Sequence, residues 1–140
     1  MLLGPLTHPG LAGTLAAAGH GSQVLLADGN YPHSTGARES VPRVHLNLRP
    51  GLLDVDQVLE VLLAAVPVEA AAVMTPGDGQ EVPAHTGYRA VLGEVGWREL
   101  GRREFYDACR GPDLALVVAT GDQRLYANLL LTLGVRGPGS

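Results

Sequence analysis

The short apolar run Val24-Leu25-Leu26-Ala27 constrains this chain more than any other stretch. Gly19-His20-Gly21-Ser22 stands before it and Asp28-Gly29-Asn30 follows it. The run is too short for a helix and rich in branched side chains, so it predicts a buried strand. Glycine on both sides of His20 permits a tight turn with unusual dihedrals. Asp-Gly-Asn is strand-ending turn chemistry. His20 and Asp28 therefore belong at opposite ends of one strand. At about 3.3 Å per residue they share a site within one chain only if the chain bends back. Across an interface between two copies they meet more easily.

The remaining elements follow in order. Thr7-His8-Pro9 predicts a helix start, with Leu11, Leu15 and Ala18 on one face and Gly19 as the stop. Residues 29–40 are dense in Gly, Pro, Ser, Asn and His and predict a long functional loop. Residues 41–48 alternate in part and suggest a second strand. Asp54 with Gln57 forms a capping box for a helix whose stripe is Val55, Val58, Leu59 and Leu62, ended by Pro67. A strand over 69–74, a turn over 75–79, a helix over 83–94 and a short strand over 95–100 come next. A polar helix over 102–110 carries Phe105 and Cys109. Residues 114–119 are the clearest buried strand, and 126–135 form a last apolar segment of undecided type. Strands alternating with helices predict an α/β fold: one layered domain over 1–140, with a mainly parallel sheet flanked by helices. Gly137 to Ser140 is expected to fray.

Composition narrows the function classes. The chain is 46% hydrophobic and 17% charged, which fits a globular protein. So few charges leave surface for burial in an oligomer. A net charge of −4 with no basic stripe argues against nucleic-acid binding. Cys109 is the single cysteine, so no internal disulfide forms and a reducing cytoplasm is the expected location. The first residues lack the pattern of a signal peptide. Residues 58–74 are apolar but broken by Glu60, Pro67 and Glu69, so no membrane span is expected.

Several side chains could carry chemistry. Histidine changes charge nearest neutrality, which makes His20 a candidate acid/base, with a turn or capping histidine as the alternative. Asp28 ends a strand, where ligands of α/β sheets gather, or else forms an Asx-turn with Gly29 and Asn30. Tyr126-Ala127-Asn128 places a hydroxyl and an amide where they could hold vicinal sugar hydroxyls; the alternative is an edge-of-core tyrosine. Arg102 offers forked donors suited to a polyol or carboxylate, whereas Arg103 and Arg110 fit a solvated helix face. His20, Asp28 and His33 are permissible metal ligands but lack a short-range pair, so no metal site is expected. Gly77-Asp78-Gly79 lacks the lysine of a phosphate loop, and Gly19-His20-Gly21 precedes a strand, unlike a dinucleotide fingerprint. His8 and His85 are expected at the surface near helix starts. Cys109 has no companion for nucleophilic work and is expected to pack.

Taken in order, these pieces resemble the RbsD/FucU family of sugar mutarotases, which takes in D-ribose pyranases and L-fucose mutarotases. The resemblance runs from about Leu11 to Val135. It is carried by Gly19-His20-Gly21, Ala27-Asp28, Tyr31-Pro32 with His33-Ser34, Arg102 ahead of Phe105-Tyr106, Thr120-Gly121-Asp122, and Tyr126-Ala127-Asn128 leading into 129–135. It implies an α/β subunit in a ring-shaped homo-oligomer, octamer or decamer, with sites between neighbours and no cofactor or metal. It places His20 as proton donor, and Asp28, Arg102, Tyr126, Ala127 and Asn128 against a monosaccharide. Arg102 stands where ribose-type members tend to carry histidine, which favours the fucose branch; Asn30 departs from that branch's usual histidine.

The function so implied is interconversion of the anomers of a reducing sugar, L-fucose first. His20 is the acid/base, and Tyr126 is a second proton-transfer group. Two other readings stand beside it: a D-ribose pyranase-type pyranose/furanose interconversion, and a non-catalytic sugar-binding or transport-associated protein.

Overall fold

The computed structural model describes all residues from Met1 to Ser140. In chain order the elements are α1 (Pro9–Ala17), β1 (Gln23–Ala27), β2 (Arg43–His45), α2 (Val55–Leu63), β3 (Val68–Met74), α3 (Pro83–Leu92), β4 (Gly96–Leu100), α4 (Arg102–Cys109), β5 (Leu114–Ala119) and β6 (Leu129–Leu133). All six strands form one sheet, in the order β2-β5-β1-β6-β3-β4. Three of the five pairings are parallel; β6 runs antiparallel to both β1 and β3. The apolar segment of undecided type is thus a strand, and it alone runs against the others.

β1 is central and buried on both faces, which explains its unbroken apolar run. Val24 and Leu26 point into a cluster formed with α1, α2 and α3. Leu25 and Ala27 point the other way, into a second cluster with Phe105, Cys109 and the loop residues Tyr31, Ala37 and Val41. The sheet is therefore sandwiched between three helices on one face and α4 with the long loop on the other.

The helix starts behave as their sequences require. His8 caps α1, its Nδ1 accepting from the Leu11 amide at 3.2 Å. At α2 the Asp54 carboxylate accepts from the Gln57 amide at 2.8 Å, and the Gln57 side chain accepts from the Asp54 amide at 3.0 Å. Two expectations need correction. β2 shrinks to three residues, because it pairs only with β5 at the sheet's edge. α2 stops at Leu63, before Pro67 can act. No helix is long and apolar enough to cross a membrane.

Candidate functional site

The direction of the strands sorts the candidate residues. β1, β3, β4 and β5 all end at one edge of the sheet, and antiparallel β6 begins there. Asp28 after β1, Thr120 and Asp122 after β5, Arg102 after β4, and Tyr126 to Asn128 before β6 therefore line that edge. His20 precedes β1 and sits at the opposite edge. β1 alone, at about 3.3 Å per residue, keeps His20 and Asp28 more than about 13 Å apart.

Asp28 is the most tightly held of these residues. Its carboxylate Oδ1 accepts from the Asn30 amide at 2.9 Å and the Tyr31 amide at 3.0 Å, so the Asx-turn is formed. The Asp28 backbone N–H donates to Asn128 Oδ1 at 2.8 Å, across β1 and β6. Burial pushes the Asp28 carboxyl above the ordinary aspartate range; amides of Asn30, Tyr31 and Ala127 pull it back only in part, and the Asp122 charge adds to the rise. His33 Nε2 donates to the Asp28 carbonyl at 2.8 Å and braces the same turn.

Tyr126 to Asn128 is gripped from both sides. Tyr126 adopts φ 58, a left-handed conformation that costs a non-glycine residue about 1–2 kcal/mol. Its carbonyl accepts from His85 Nε2 at 2.8 Å, and the next carbonyl, Ala127, accepts from Tyr88 Oη at 2.6 Å. Asn128 spends its carbonyl oxygen on Asp28, which leaves its Nδ2 amide for a ligand. Tyr126 is half-buried and borders a cleft of about 440 Å³ with Pro76, Glu81, Pro83 and Arg124.

His85 overturns an expectation. It lies on the inner face of α3, only 7% exposed, beside Ala84, Tyr88 and Leu92. Burial lowers the affinity of its ring for a second proton, against a smaller opposing effect of its bond to Tyr126. The helical spacing of His85, Tyr88 and Leu92 was the sequence signal for this placement.

Arg102 is exposed at the start of α4, three strands along the edge from Asp28. At about 4.8 Å per strand that is roughly 14 Å. With Arg103, Tyr106, Asp107 and Arg110 it borders an open hollow of about 470 Å³.

At the far edge, His20 is exposed and its Nε2 lies 3.1 Å from both carboxylate oxygens of Glu69, at the start of β3. Gly21, the residue after it, takes φ +84, so the glycine is needed for the turn. Glu69 was not among the sequence candidates. Its only cue was a carboxylate at a strand start, which solvent contact explains equally well.

Asp122 is a second buried carboxylate at the Asp28 edge. It accepts from the Val55 amide at 3.0 Å and from Arg124 Nη2 at 2.7 Å, and Arg124 also binds Asp56. Burial alone would raise its carboxyl, but these donors outweigh burial and hold it below the ordinary range. Its neighbour Gly121 packs where a Cβ would come within 2.6 Å of the Arg49 and Leu52 carbonyls, which excludes larger residues. Cys109 is fully buried, with its thiol pushed up to about 12 by burial, and serves packing.

A profile of the RbsD / FucU transport protein family matches residues 1–136, nearly the whole chain. The chain belongs to this family. Among RbsD/FucU proteins, it is 35% identical to the fucose mutarotase of Bos taurus, over 95% of this chain and 92% of that protein. It is 34% identical to the D-ribose pyranase of Paracidovorax citrulli (strain AAC00-1), over 93% of this chain and 95% of that one. The structure of Bacillus subtilis RbsD complexed with D-ribose superimposes with a TM-score of 0.86 at 25% identity, covering 98% of this chain and 100% of that chain. The fucose mutarotase of Streptococcus pneumoniae in complex with L-fucose gives 0.80 at 26% identity, covering 93% and 94%. The RbsD/FucU architecture expected from the sequence is thus the one found.

Proposed function

We propose that this chain is a mutarotase that interconverts the anomers of a reducing monosaccharide, L-fucose first, at a site shared by two copies. The observation that carries the shared site is the placement of the two candidate groups. Asp28 with Tyr126 to Asn128 occupies one edge of the sheet, and His20 with Glu69 the other. One protomer cannot close such a site; a neighbour presenting its opposite edge can. A ring of copies, octamer or decamer, repeats that contact without leaving an open end. The single buried cysteine suits a reducing cytoplasm.

The reaction needs little. The bond between the anomeric carbon and the ring oxygen breaks as a proton is delivered to the ring oxygen and another leaves the anomeric hydroxyl. The open-chain carbonyl turns its face, and the steps reverse. Proton count and charge balance without a redox partner. His20 delivers or removes the proton, with Glu69 orienting its ring. Tyr126 supplies the second proton-transfer group. Asp28, Asn128 Nδ2 and Arg102 hold the hydroxyls, while Ala127, fully buried with its carbonyl taken by Tyr88 Oη, keeps the segment in place. Each well-placed acid or base contributes on the order of 10²–10⁴ in rate.

Saturation-transfer NMR across fucose, ribose, galactose and rhamnose tests this. Faster exchange between anomers on adding protein supports it. Sugar binding with no faster exchange would make the protein a non-catalytic binder and overturn the enzyme reading. Ribose is the second substrate to try, because the D-ribose complex of RbsD superimposes with the higher TM-score.

A further inference from the structure

We propose that His85 is a positioning residue for the reaction: by donating Nε2–H to the Tyr126 carbonyl, it locks the left-handed turn that presents Tyr126 and Asn128 to the sugar. The inference rests on the mutarotase reading and adds to it a residue that never touches substrate.

A carbonyl only accepts, so the 2.8 Å contact fixes the hydrogen on Nε2 and selects one tautomer of the ring. Tyr88, one helical turn further along α3, donates to the adjacent Ala127 carbonyl at 2.6 Å. Two consecutive carbonyls are therefore pinned by two side chains of one rigid helix. On the other side, the Asp28 amide donates to Asn128 Oδ1 in the same segment. The segment so clamped contains Tyr126, one of only two non-glycine residues with positive φ in the chain. A left-handed tyrosine persists where its surroundings over-determine it, and such residues gather at functional sites. The imidazole is itself walled in. Tyr88 and Trp97 each stand with ring centroids 6.3 Å away, and Pro83 starts the helix two residues earlier. Without the donor, nothing else holds the Tyr126 carbonyl, and the tyrosine hydroxyl and the asparagine amide lose their common frame.

The test compares two substitutions in the full-length protein. His85→Gln keeps an N–H at the reach of Nε2; His85→Leu keeps bulk and removes the donor. Anomer exchange by the Gln variant is expected within about three-fold of wild type. The Leu variant is expected to raise KM at least about ten-fold while remaining folded, since small misplacements of substrate-holding groups cost heavily. A folded Leu variant with unchanged KM and kcat overturns the inference, as does an equal loss in both variants. If the wild type is inert on every sugar, the mutarotase reading fails on that result alone. Amide resonances of 126–128 then decide the clamp: displaced in Leu but not in Gln supports it, and unmoved in both overturns it. Should the Leu variant not fold, ¹⁵N spectra of the wild-type imidazole decide. Hydrogen on Nε2 supports the assignment; hydrogen on Nδ1 overturns it.

Discussion

The amide of Asp28 and the side-chain oxygen of Asn128, one hundred residues apart in the chain, meet at 2.8 Å between β1 and β6. This bond ties the end of the central strand to the start of its antiparallel neighbour, at the edge where the sugar is proposed to bind. Asn128→Ala leaves the Asp28 amide buried without a partner. The expected cost is about 1–3 kcal/mol in urea denaturation, together with weaker sugar binding by titration. A variant with unaltered stability would show that solvent replaces the asparagine.

His20 and Glu69 separate chemistry from folding, because both are exposed. His20→Ala is expected to lower anomer exchange by about 10²-fold or more while Tm stays within about 2 °C of wild type. Glu69→Gln keeps a hydrogen-bonding oxygen and is expected to lose less than His20→Ala. Full activity of His20→Ala, measured by saturation transfer, would remove the imidazole from the mechanism.

A site divided between copies makes a prediction about mixtures. His20→Ala and Asp28→Asn oligomers are each expected to be inactive. Co-expressed in equal amounts, they form some sites with an intact His20 from one protomer and an intact Asp28 from its partner. Random assembly restores about one site in four. Absence of any recovery, with hetero-oligomers confirmed by native mass spectrometry, would place the whole site within one protomer.

Asp122 is expected to matter more for stability than for turnover. It joins the α2 start to Arg124 from a buried position. Asp122→Ala leaves the buried Val55 amide without its acceptor and Arg124 paired with Asp56 alone, with an expected loss of about 1–3 kcal/mol. Circular-dichroism melting checks it, and a shift of Tm below about 2 °C would mean the ion pair is replaceable.

Acid stability follows from the same groups. The Asp122 carboxyl is held below its ordinary value of 3.8, so its contribution is present above that pH and disappears as pH falls through its folded value. His85 is also shifted down, from 6.5. The unfolded chain then takes up the proton first, and stability declines as pH falls from 6.5 toward the folded value. Asp28 is shifted up, so its effect runs the other way: stability from it falls as pH rises from 3.8 through its folded value. Urea midpoints from about pH 8 to about pH 5 are expected to decline on the acid side, and His85→Gln is expected to flatten that slope. An unchanged slope would show that His85 binds its proton equally well in the folded and the unfolded chain.

Local rules reached far along this chain. The capping box at Asp54, the helix begun at Pro9, the strand at 114–119 and the double-faced strand at 24–27 each depend on a few neighbouring residues, and each formed where its residues require. His85 shows where such reading stops. A histidine near a helix start is compatible with solvent or with core until the register of the helix against the sheet is known. Glu69 was invisible for the complementary reason: its partner His20 lies forty-nine residues away.

Order along the chain was enough for the alternation of strands and helices, for the kinship with sugar mutarotases, and for the separation of His20 from Asp28, because a short buried strand has a fixed length. Folding alone could decide that β6 runs backwards, that Tyr126 is forced into a left-handed turn, and that His85 and Tyr88 hold it there. Those outcomes depend on which distant carbonyl a buried donor finds, and burial makes finding one compulsory without naming the partner.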